Sequence, residues 1–490
     1  MEKSRKQKQQ RMQGIYDAVI KNGGDIDRLP DDLLINILSH MSIKRAARTS
    51  VLSHKWRYLW RFSHGTLRFD GKLMEKEKLE SWVNGVLDLH QAPYVEGMII
   101  SVEGGVERNQ KAYASTSRAV ERWLNFAMQK EVQRLELNLL YEDKYKEHLW
   151  SRYPFPSLEE LRSYSHSHSF CRLRSLRLSH VNITTDVVHH FLASCPDLEE
   201  LCIQFSYHMM EDLRVVDPPS LRVLEITTCP YVESVEISAA SLVSLTYGGP
   251  ADSLLFKDYR DEKSSLLVKK APNLRELCIT GDPCLFFVLE PQSYSVQLEK
   301  LVLDIQFEVD SRILFWVAAD LPRFCSLKRL QVYAHTRYDS LFNLFKSLIE
   351  ASPLLCEFRI ELGYSEEPYD PGRYGLIPGK FVHRNLKVVE VGGYAGYGYA
   401  EELLVALIWS CPSLERVAIH IPTDFFDKPH VRGFINKCRR CKNVVPFATS
   451  REEAKGRAQR FIAKTRKHKP KLQEWKQWQW ERLEFIVTLI

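Results

Sequence analysis

From about residue 132 onward, apolar residues recur in one figure, L-x-x-L-x-L, with Ile, Val or an aromatic ring substituting in places. The series runs Val132/Leu135/Leu137, Leu173/Leu176/Leu178, Leu198/Leu201/Ile203, Leu221/Leu224/Ile226, Leu242/Leu245/Tyr247 and Leu274/Leu277/Ile279. It continues as Leu298/Leu301/Leu303, Leu327/Leu330/Val332, Leu355/Phe358/Ile360, Leu386/Val389/Val391 and Leu414/Val417/Ile419. From Leu176 the middle positions step by 25, 23, 21, 32, 24, 29, 28, 31 and 28 residues. This is the spacing of a leucine-rich repeat, with the longer steps holding loop insertions. Leu221-x-x-Leu224-x-Ile226-x-x-Cys229 also supplies the Cys of that consensus. Apolar helix-like runs precede Ser194-Cys195-Pro196, Ser352-Pro353 and Ser410-Cys411-Pro412. A proline there stops a helix and starts the next strand. Each unit is therefore expected to be strand, loop, helix and turn. One unit cannot bury its own apolar face but a stack of them can. The fold class expected is α/β, a curved horseshoe solenoid of parallel strands.

A second pattern occupies Asp27–Trp60. Pro30 stands where a first-turn proline is tolerated, and Asp31 and Asp32 place negative charge at the positive end of a helix. Leu33, Leu34, Ile37, Leu38 and Met41 follow at helical spacing. Ser42 is expected to cap a second helix bearing Ile43, Ala46, Ala47 and Val51, and Ser53 a third bearing Trp56, Leu59 and Trp60. So small a unit carries more apolar side chains than one three-helix core can hide, and such a surplus implies docking on a partner. Between the two patterns, helices are expected around Trp82–Leu89 and Ala119–Ala127, with a strand at Met98–Val102. Near the C-terminus Ser450 and Glu453 have capping-box spacing and open a helix through about Lys467, while Leu483–Val487 reads as a closing strand.

Composition narrows the class. The chain of 490 residues is 44% hydrophobic and 27% charged, as in a soluble globular protein. No apolar run approaches the roughly 18 residues that span a bilayer. The polar, basic N-terminus has no apolar core and is not read as a secretory signal. Eleven scattered cysteines suit reduced thiols in the nucleus or cytoplasm. The net charge of +6 is uneven, because Lys437–Arg482 carries 15 Lys/Arg against 4 Glu. Basic residues from Lys464 to Lys476 interleave there with Trp475, Trp478 and Trp480, a combination also used to hold single-stranded nucleic acid. The favoured reading is a cap over the open end of the solenoid, and nucleic acid is not expected among the partners. Candidate chemistry is otherwise weak. The glycines of Gly392–Gly398 match neither phosphate-binding spacing, and Glu401 and Glu402 would repel a phosphate. Cys438 and Cys441 lack the second ligand pair of a zinc site. The His166/His168 run reads as a polar loop, and no nucleophile or metalloprotease motif occurs. No catalytic, cofactor-binding or metal-binding residue is assigned.

Leu29-Pro30-Asp31-Asp32-Leu33-Leu34, Ile37-Leu38, Val51-Leu52-Ser53 and Trp56-Arg57-Tyr58-Leu59-Trp60 together resemble an F-box, in the form seen in plant F-box proteins. The stretch from Asn385 to His420 resembles the FBD segment that ends many plant F-box/leucine-rich-repeat proteins, although the long insert at Lys467–Arg482 departs from that pattern. Composition, the repeat spacing and the resemblance together give five expected regions: a disordered basic N-terminus (1–25), a three-helix F-box (26–66), a connecting or N-terminal cap region (67–131), leucine-rich repeats (132–384), and FBD-like repeats with a basic tail (385–490). The resemblance implies a non-catalytic substrate receptor of an SCF-type E3 ubiquitin ligase. The F-box would dock on a Skp1-type adaptor, and through it on cullin and a RING subunit, while the repeats hold an unidentified protein target. Adaptor contact is expected from Leu29, Pro30, Leu33, Leu34, Ile37, Leu38, Val51, Leu52, Trp56, Leu59 and Trp60, some of them serving the motif's own core. The rival expectation is a repeat scaffold with a non-functional F-box that contacts nucleic acid through its tail.

Overall fold

The computed structural model describes residues 26, 29–71, 76–107, 113–143, 153–164, 170–207, 210–229, 231–248, 265–280, 294–305, 321–334, 341–362, 381–394, 398–422, 448, 450–467 and 481–489. The basic N-terminus, the histidine–serine run at 165–169, Cys438, Cys441 and the tryptophan-bearing insert lie outside the described residues. The chain divides into two compact units, Met1–Tyr207 and His208–Ile490.

The first unit opens with helices α1 (Asp31–Ser39), α2 (Ile43–Arg48) and α3 (Trp56–Leu59), the last two each running on into a 3-10 turn. Strand β1 (Thr66–Asp70), helix α4 (Lys76–Leu89), strand β2 (Gly97–Glu107), helix α5 (Tyr113–Gln129) and strand β3 (Arg134–Asp143) follow. Next come the two-residue strand β4 (Tyr153–Pro154), helix α6 (Leu158–Tyr164), β5 (Ser175–Ser179), the two-residue β6 (Val181–Asn182), α7 (Thr185–Ser194) and β7 (Glu200–Gln204). Strands β1, β2, β3, β5 and β7 pair in parallel. Leu67, Met98, Leu135, Leu176 and Leu201 stand in one register, and Phe69, Ile100, Leu137, Leu178 and Ile203 in the next.

The expected helices near 82–89 and 119–127 and the strand near 98–102 are α4, α5 and β2. Beyond those elements, Thr66–Asp70 forms a strand that extends the stack toward the N-terminus, and Val95/Met98/Ile100 makes a rung with the same spacing as the later ones. Helix α5 ends in a two-bond turn. Glu131 N–H donates to Met128 O at 3.1 Å and Val132 N–H to Ala127 O at 3.2 Å, with Glu131 left-handed at φ 50°.

In the second unit the strands are β8 (Met210–Val216), β9 (Val223–Thr227), β10 (Val232–Ser238), β11 (Ser244–Gly248), β12 (Ser265–Lys270), β13 (Glu276–Thr280), β14 (Lys300–Ile305), β15 (Arg329–Ala334), β16 (Glu357–Leu362), β17 (Val388–Gly392), β18 (Arg416–Ile421) and β19 (Glu484–Leu489). Among the described residues its helices are α8 (Leu341–Glu350), α9 (Gly398–Ser410) and α10 (Arg451–Lys467). A parallel sheet runs β9-β11-β13-β14-β15-β16-β17-β18-β19, with Leu224, Leu245, Leu277, Leu301, Leu330, Phe358, Val389, Val417 and Phe485 in one register. Every side chain of the eleven triplets is exposed by 3% or less.

One expectation needs correction. Among the described residues of 210–270 the return path after the strands is extended rather than helical. Strands β8, β10 and β12 form a second parallel sheet. Leu213/Val215 and Val235/Ile237 are buried at period two, with Arg214 exposed and Glu236 half-buried between them. For β8 and β10 extended chain spans the 23- and 21-residue steps from Leu201 to Leu245, since a strand advances about 3.3 Å per residue and a helix 1.5 Å; β12, inside a 32-residue step, joins them by pairing in parallel with β10. Helices stand where they were expected at α7, α8 and α9, before the Ser-Cys-Pro and Ser-Pro turns. Burial pushes the Cys195 and Cys411 thiols in those turns up to about 12, so they pack as small apolar groups.

A signal that sequence reading missed lies just after the strands. His180, Phe205, Thr228 and Gly393 each follow the last strand residue of their repeat, and all four are left-handed, with φ of 59°, 54°, 53° and 69°. This turns the chain out of the strand at the same place each time. Only one of the four is glycine, so composition did not announce it. Helix α10 and strand β19 close the second unit. Glu453 N–H donates to Ser450 Oγ at 3.2 Å, as the capping spacing predicted. Ala454, Ala458, Phe461 and Thr465 form its buried stripe.

Candidate functional site

The N-terminal helices sort their apolar side chains into two sets. Leu34, Leu38, Ile43, Ala46, Trp56, Leu59 and Trp60 are buried and fill the small core. Leu33 (49% exposed), Ile37 (41%), Val51 (87%) and Leu52 (64%) face outward. Pro30 is exposed as well, and Leu29 is half-buried. On α1 the two sets are Leu34/Leu38 and Leu33/Ile37, two adjacent stripes at i, i+4. The apolar arc is therefore wider than the core it covers, and half of it remains in solvent.

The helix starts differ from expectation. Pro30 occupies the cap position rather than the first turn, and its carbonyl accepts from Leu33 N–H and Leu34 N–H. Asp31 and Asp32 do lie in the first turn. Ser42 is at the cap of α2 without a side-chain bond. Ser53 does not cap α3: Lys55 holds that position, and Ser53 Oγ is buried without a hydrogen-bond partner among the described residues. Lys55 instead pins the start of α1, donating from Nζ to Leu29 O at 2.6 Å and pairing with Asp31 at 3.3 Å. Packing, not local capping preference, sets where these short helices begin.

The helical motif is stitched to the first repeats. Ser39 Oγ donates to Ile35 O at 2.8 Å and accepts from His64 N–H at 3.0 Å. Gln91 N–H donates to Arg61 O at 2.7 Å and Glu96 N–H to His64 O at 2.8 Å. His90 is buried against Phe126, and its Nε2 donates to Ser63 O at 2.8 Å. Burial first, with nearby Lys130 adding, pushes the His90 pKa from its ordinary value near 6.5 down to about 4, against the bond to Ser63, which raises it. The folded state therefore favours neutral imidazole. The contribution is fully present above about pH 6.5 and is lost as the pH falls toward 4. At about pH 5 the expected loss is about 2 kcal/mol. Between neutral pH and about pH 5 the unfolding free energy of the unaltered chain should fall by about 2 kcal/mol more than that of His90→Gln. Equal losses in the two proteins would refute the assignment.

Along the strands, exposed charges pair across rungs rather than converging on a point. Arg177 pairs with Glu200; Glu299 lies between Arg275 and Lys328; Glu390 lies 3.3 Å from Arg416 and 4.0 Å from Arg359. Each such surface pair is worth about 0–1 kcal/mol. At the glycine-bearing turn, Gly392 ends β17 and Gly393 makes the left-handed turn. Buried Tyr394 donates its hydroxyl to Glu401 at 2.8 Å. Burial raises the Glu401 carboxyl, with Tyr394, Arg457, Lys464 and Arg460 opposing. This is the turn between repeats that the sequence suggested. Residues 395–397 lie outside the described residues. Among the described residues no group of three His, Cys, Asp or Glu side chains is placed to hold a metal ion, and no helix is long and apolar enough to cross a membrane.

Comparison with known proteins agrees with this geometry. Residues 26–65 match the F-box domain. Residues 99–465 match the leucine-rich-repeat domain described for At1g61320/AtMIF1. Among similar proteins of Arabidopsis thaliana, F-box/LRR-repeat protein At3g03360 is 31% identical, over 45% of this chain and 47% of its own length. F-box/LRR-repeat protein 13 is 24% identical, over 80% of this chain and 76% of its own. F-box/FBD/LRR-repeat protein At5g22700 is 24% identical, over 76% and 86% respectively.

Proposed function

Since the chain belongs to the plant F-box/leucine-rich-repeat proteins, we propose that it is the substrate-recognition subunit of an SCF-type ubiquitin ligase. Its helical motif docks on a Skp1-type adaptor, which connects it to cullin and a RING subunit, and its repeats hold the protein target. The chain does no chemistry. It raises the effective concentration of a target lysine near the charged enzyme. The nucleus and the cytoplasm are the compartments where this would take place.

One observation carries the reading. The small core is already filled by Leu34, Leu38, Trp56, Leu59 and Trp60, yet Leu33, Ile37, Val51 and Leu52 remain outside it. Those four, with Leu29 and Pro30, form the docking face; the buried five hold its shape. Replacing Leu29 and Pro30 together by alanine is expected to weaken adaptor pull-down by about tenfold or more, as for loss of an interface anchor, with the repeats still folded by circular dichroism. Undiminished pull-down would sink the assignment of these two residues.

The rival scaffold reading leans on the basic tail. Part of that charge is engaged inside the protein: the Arg466 guanidinium lies 5.3 Å over the Phe485 ring, and Arg457 pairs with Glu453 at 2.8 Å. This supports a capping role for the helix that bears them.

A further inference from the structure

We infer that the docking face is electrostatically steered, and that its partner presents an acidic rim around an apolar pocket. The inference rests on the adaptor reading above and concerns the chemistry of the surface that meets it. Residues 29–65 contain six Lys/Arg and two Asp. Asp31 is spoken for by Lys55 at 3.3 Å. Lys44, Arg45, Arg48 and Arg57 are exposed, and among the described residues no carboxylate pairs with them.

Their placement follows from the helix. Arg45, Arg48 and Leu52 fall at i, i+3, i+7, as do Lys44, Ala47 and Val51, so the cations lie one and two turns before the exposed aliphatic pair. Ser50 Oγ donates to Arg57 O at 3.2 Å, which brings the start of α3 beside the same turn. Val51 and Leu52 are thus apolar anchors bordered by cations that have no carboxylate partner among the described residues. On the repeats, by contrast, Arg275, Lys328 and Arg416 have carboxylate partners across rungs.

A nucleic acid would meet the charge but gain nothing from two aliphatic side chains, since strand binding uses aromatic stacking. A lipid surface would need a broad apolar helix face. Here Ile43 and Ala46 of α2 turn into the core, at 2% and 0% exposure. A folded protein partner with carboxylates around a cleft uses both features. Rim charges of this kind act mainly on the association rate and its salt dependence.

The test measures the kinetics of the full chain on an immobilised Skp1-type adaptor at about 50 and about 500 mM NaCl, conditions that shorten the screening length about threefold. The expected association rate falls about tenfold or more with added salt, while the dissociation rate changes less than about threefold. Arg45→Glu, Arg48→Glu and Arg57→Glu combined are expected to lower the low-salt association rate by a similar factor, and the three glutamine replacements by less. The glutamine variant and the salt series on the unaltered chain decide the matter if the glutamate variant does not fold. Binding with a salt-independent association rate overturns the inference and leaves the adaptor reading intact. An effect confined to dissociation overturns it likewise. Failure of the unaltered chain to bind at either salt overturns both. Capture by single-stranded RNA or by phosphatidylserine vesicles that the same substitutions abolish, with adaptor kinetics unmoved, assigns the charge to another partner.

Discussion

Aspartate at both Val51 and Leu52 is expected to weaken adaptor binding by more than about 100-fold while leaving the unfolding temperature unchanged. These two side chains are 87% and 64% exposed, so neither contributes packing that a polar replacement would remove. In the complex the same positions would be buried. A carboxylate there loses an apolar anchor and must be desolvated without a partner, a cost of several kcal/mol. The contrast is Trp56→Ala. Trp56 is 3% exposed, on a helix that packs against the one bearing buried Leu34 and Leu38. Its removal is expected to cost about 3–5 kcal/mol of stability, and binding would fall because the face loses its shape. Binding and thermal unfolding measured together separate the two cases. If the aspartate pair leaves binding within about threefold of the unaltered chain, Val51 and Leu52 are not anchors.

Gly393→Ala is expected to destabilise the second unit by about 3 kcal/mol. Left-handed backbone alone does not demand glycine here, because His180, Phe205 and Thr228 hold the same conformation with side chains attached. That conformation costs about 1–2 kcal/mol. What sets Gly393 apart is its neighbour. A Cβ there would stand 2.0 Å from Leu362 O and 2.9 Å from Leu362 C, both backbone atoms at the end of β16. The strand cannot yield without disturbing its register with β15 and β17, and overpacking of this kind costs about 1–3 kcal/mol more. Urea unfolding of the alanine variant should show a lower midpoint at unchanged slope. A loss below about 1 kcal/mol would mean that the neighbouring strand relaxes freely.

The repeat array was legible because its signal is periodic. Each Leu-x-x-Leu-x-Leu places three side chains inward, and all eleven triplets are buried. The additional N-terminal rungs were harder to see because their inward residues are Leu67/Phe69 and Val95/Met98/Ile100, where only one leucine occurs. The strands on the return path of 210–270 were missed because leucine spacing reports the inner face and says nothing of the chain behind it. Alternation in Leu213/Val215 and Val235/Ile237 was the available clue. In the N-terminal motif the apolar residues of the core and of the exposed face were nameable from sequence. The sequence could not divide them into core and face, because Leu33 and Leu34 share one apolar arc and only tertiary packing decides which half is covered. Ser42 holds its cap position without a side-chain bond and Ser53 does not cap its helix, because helices of six and four residues take their ends from their neighbours.

The most direct measurement is the mass of what forms when the full chain meets a purified Skp1-type adaptor, by size-exclusion chromatography with light scattering. The adaptor-receptor account predicts a one-to-one complex with the unaltered chain and none with the Val51→Asp, Leu52→Asp variant. An unaltered, folded chain that elutes apart from the adaptor would contradict it.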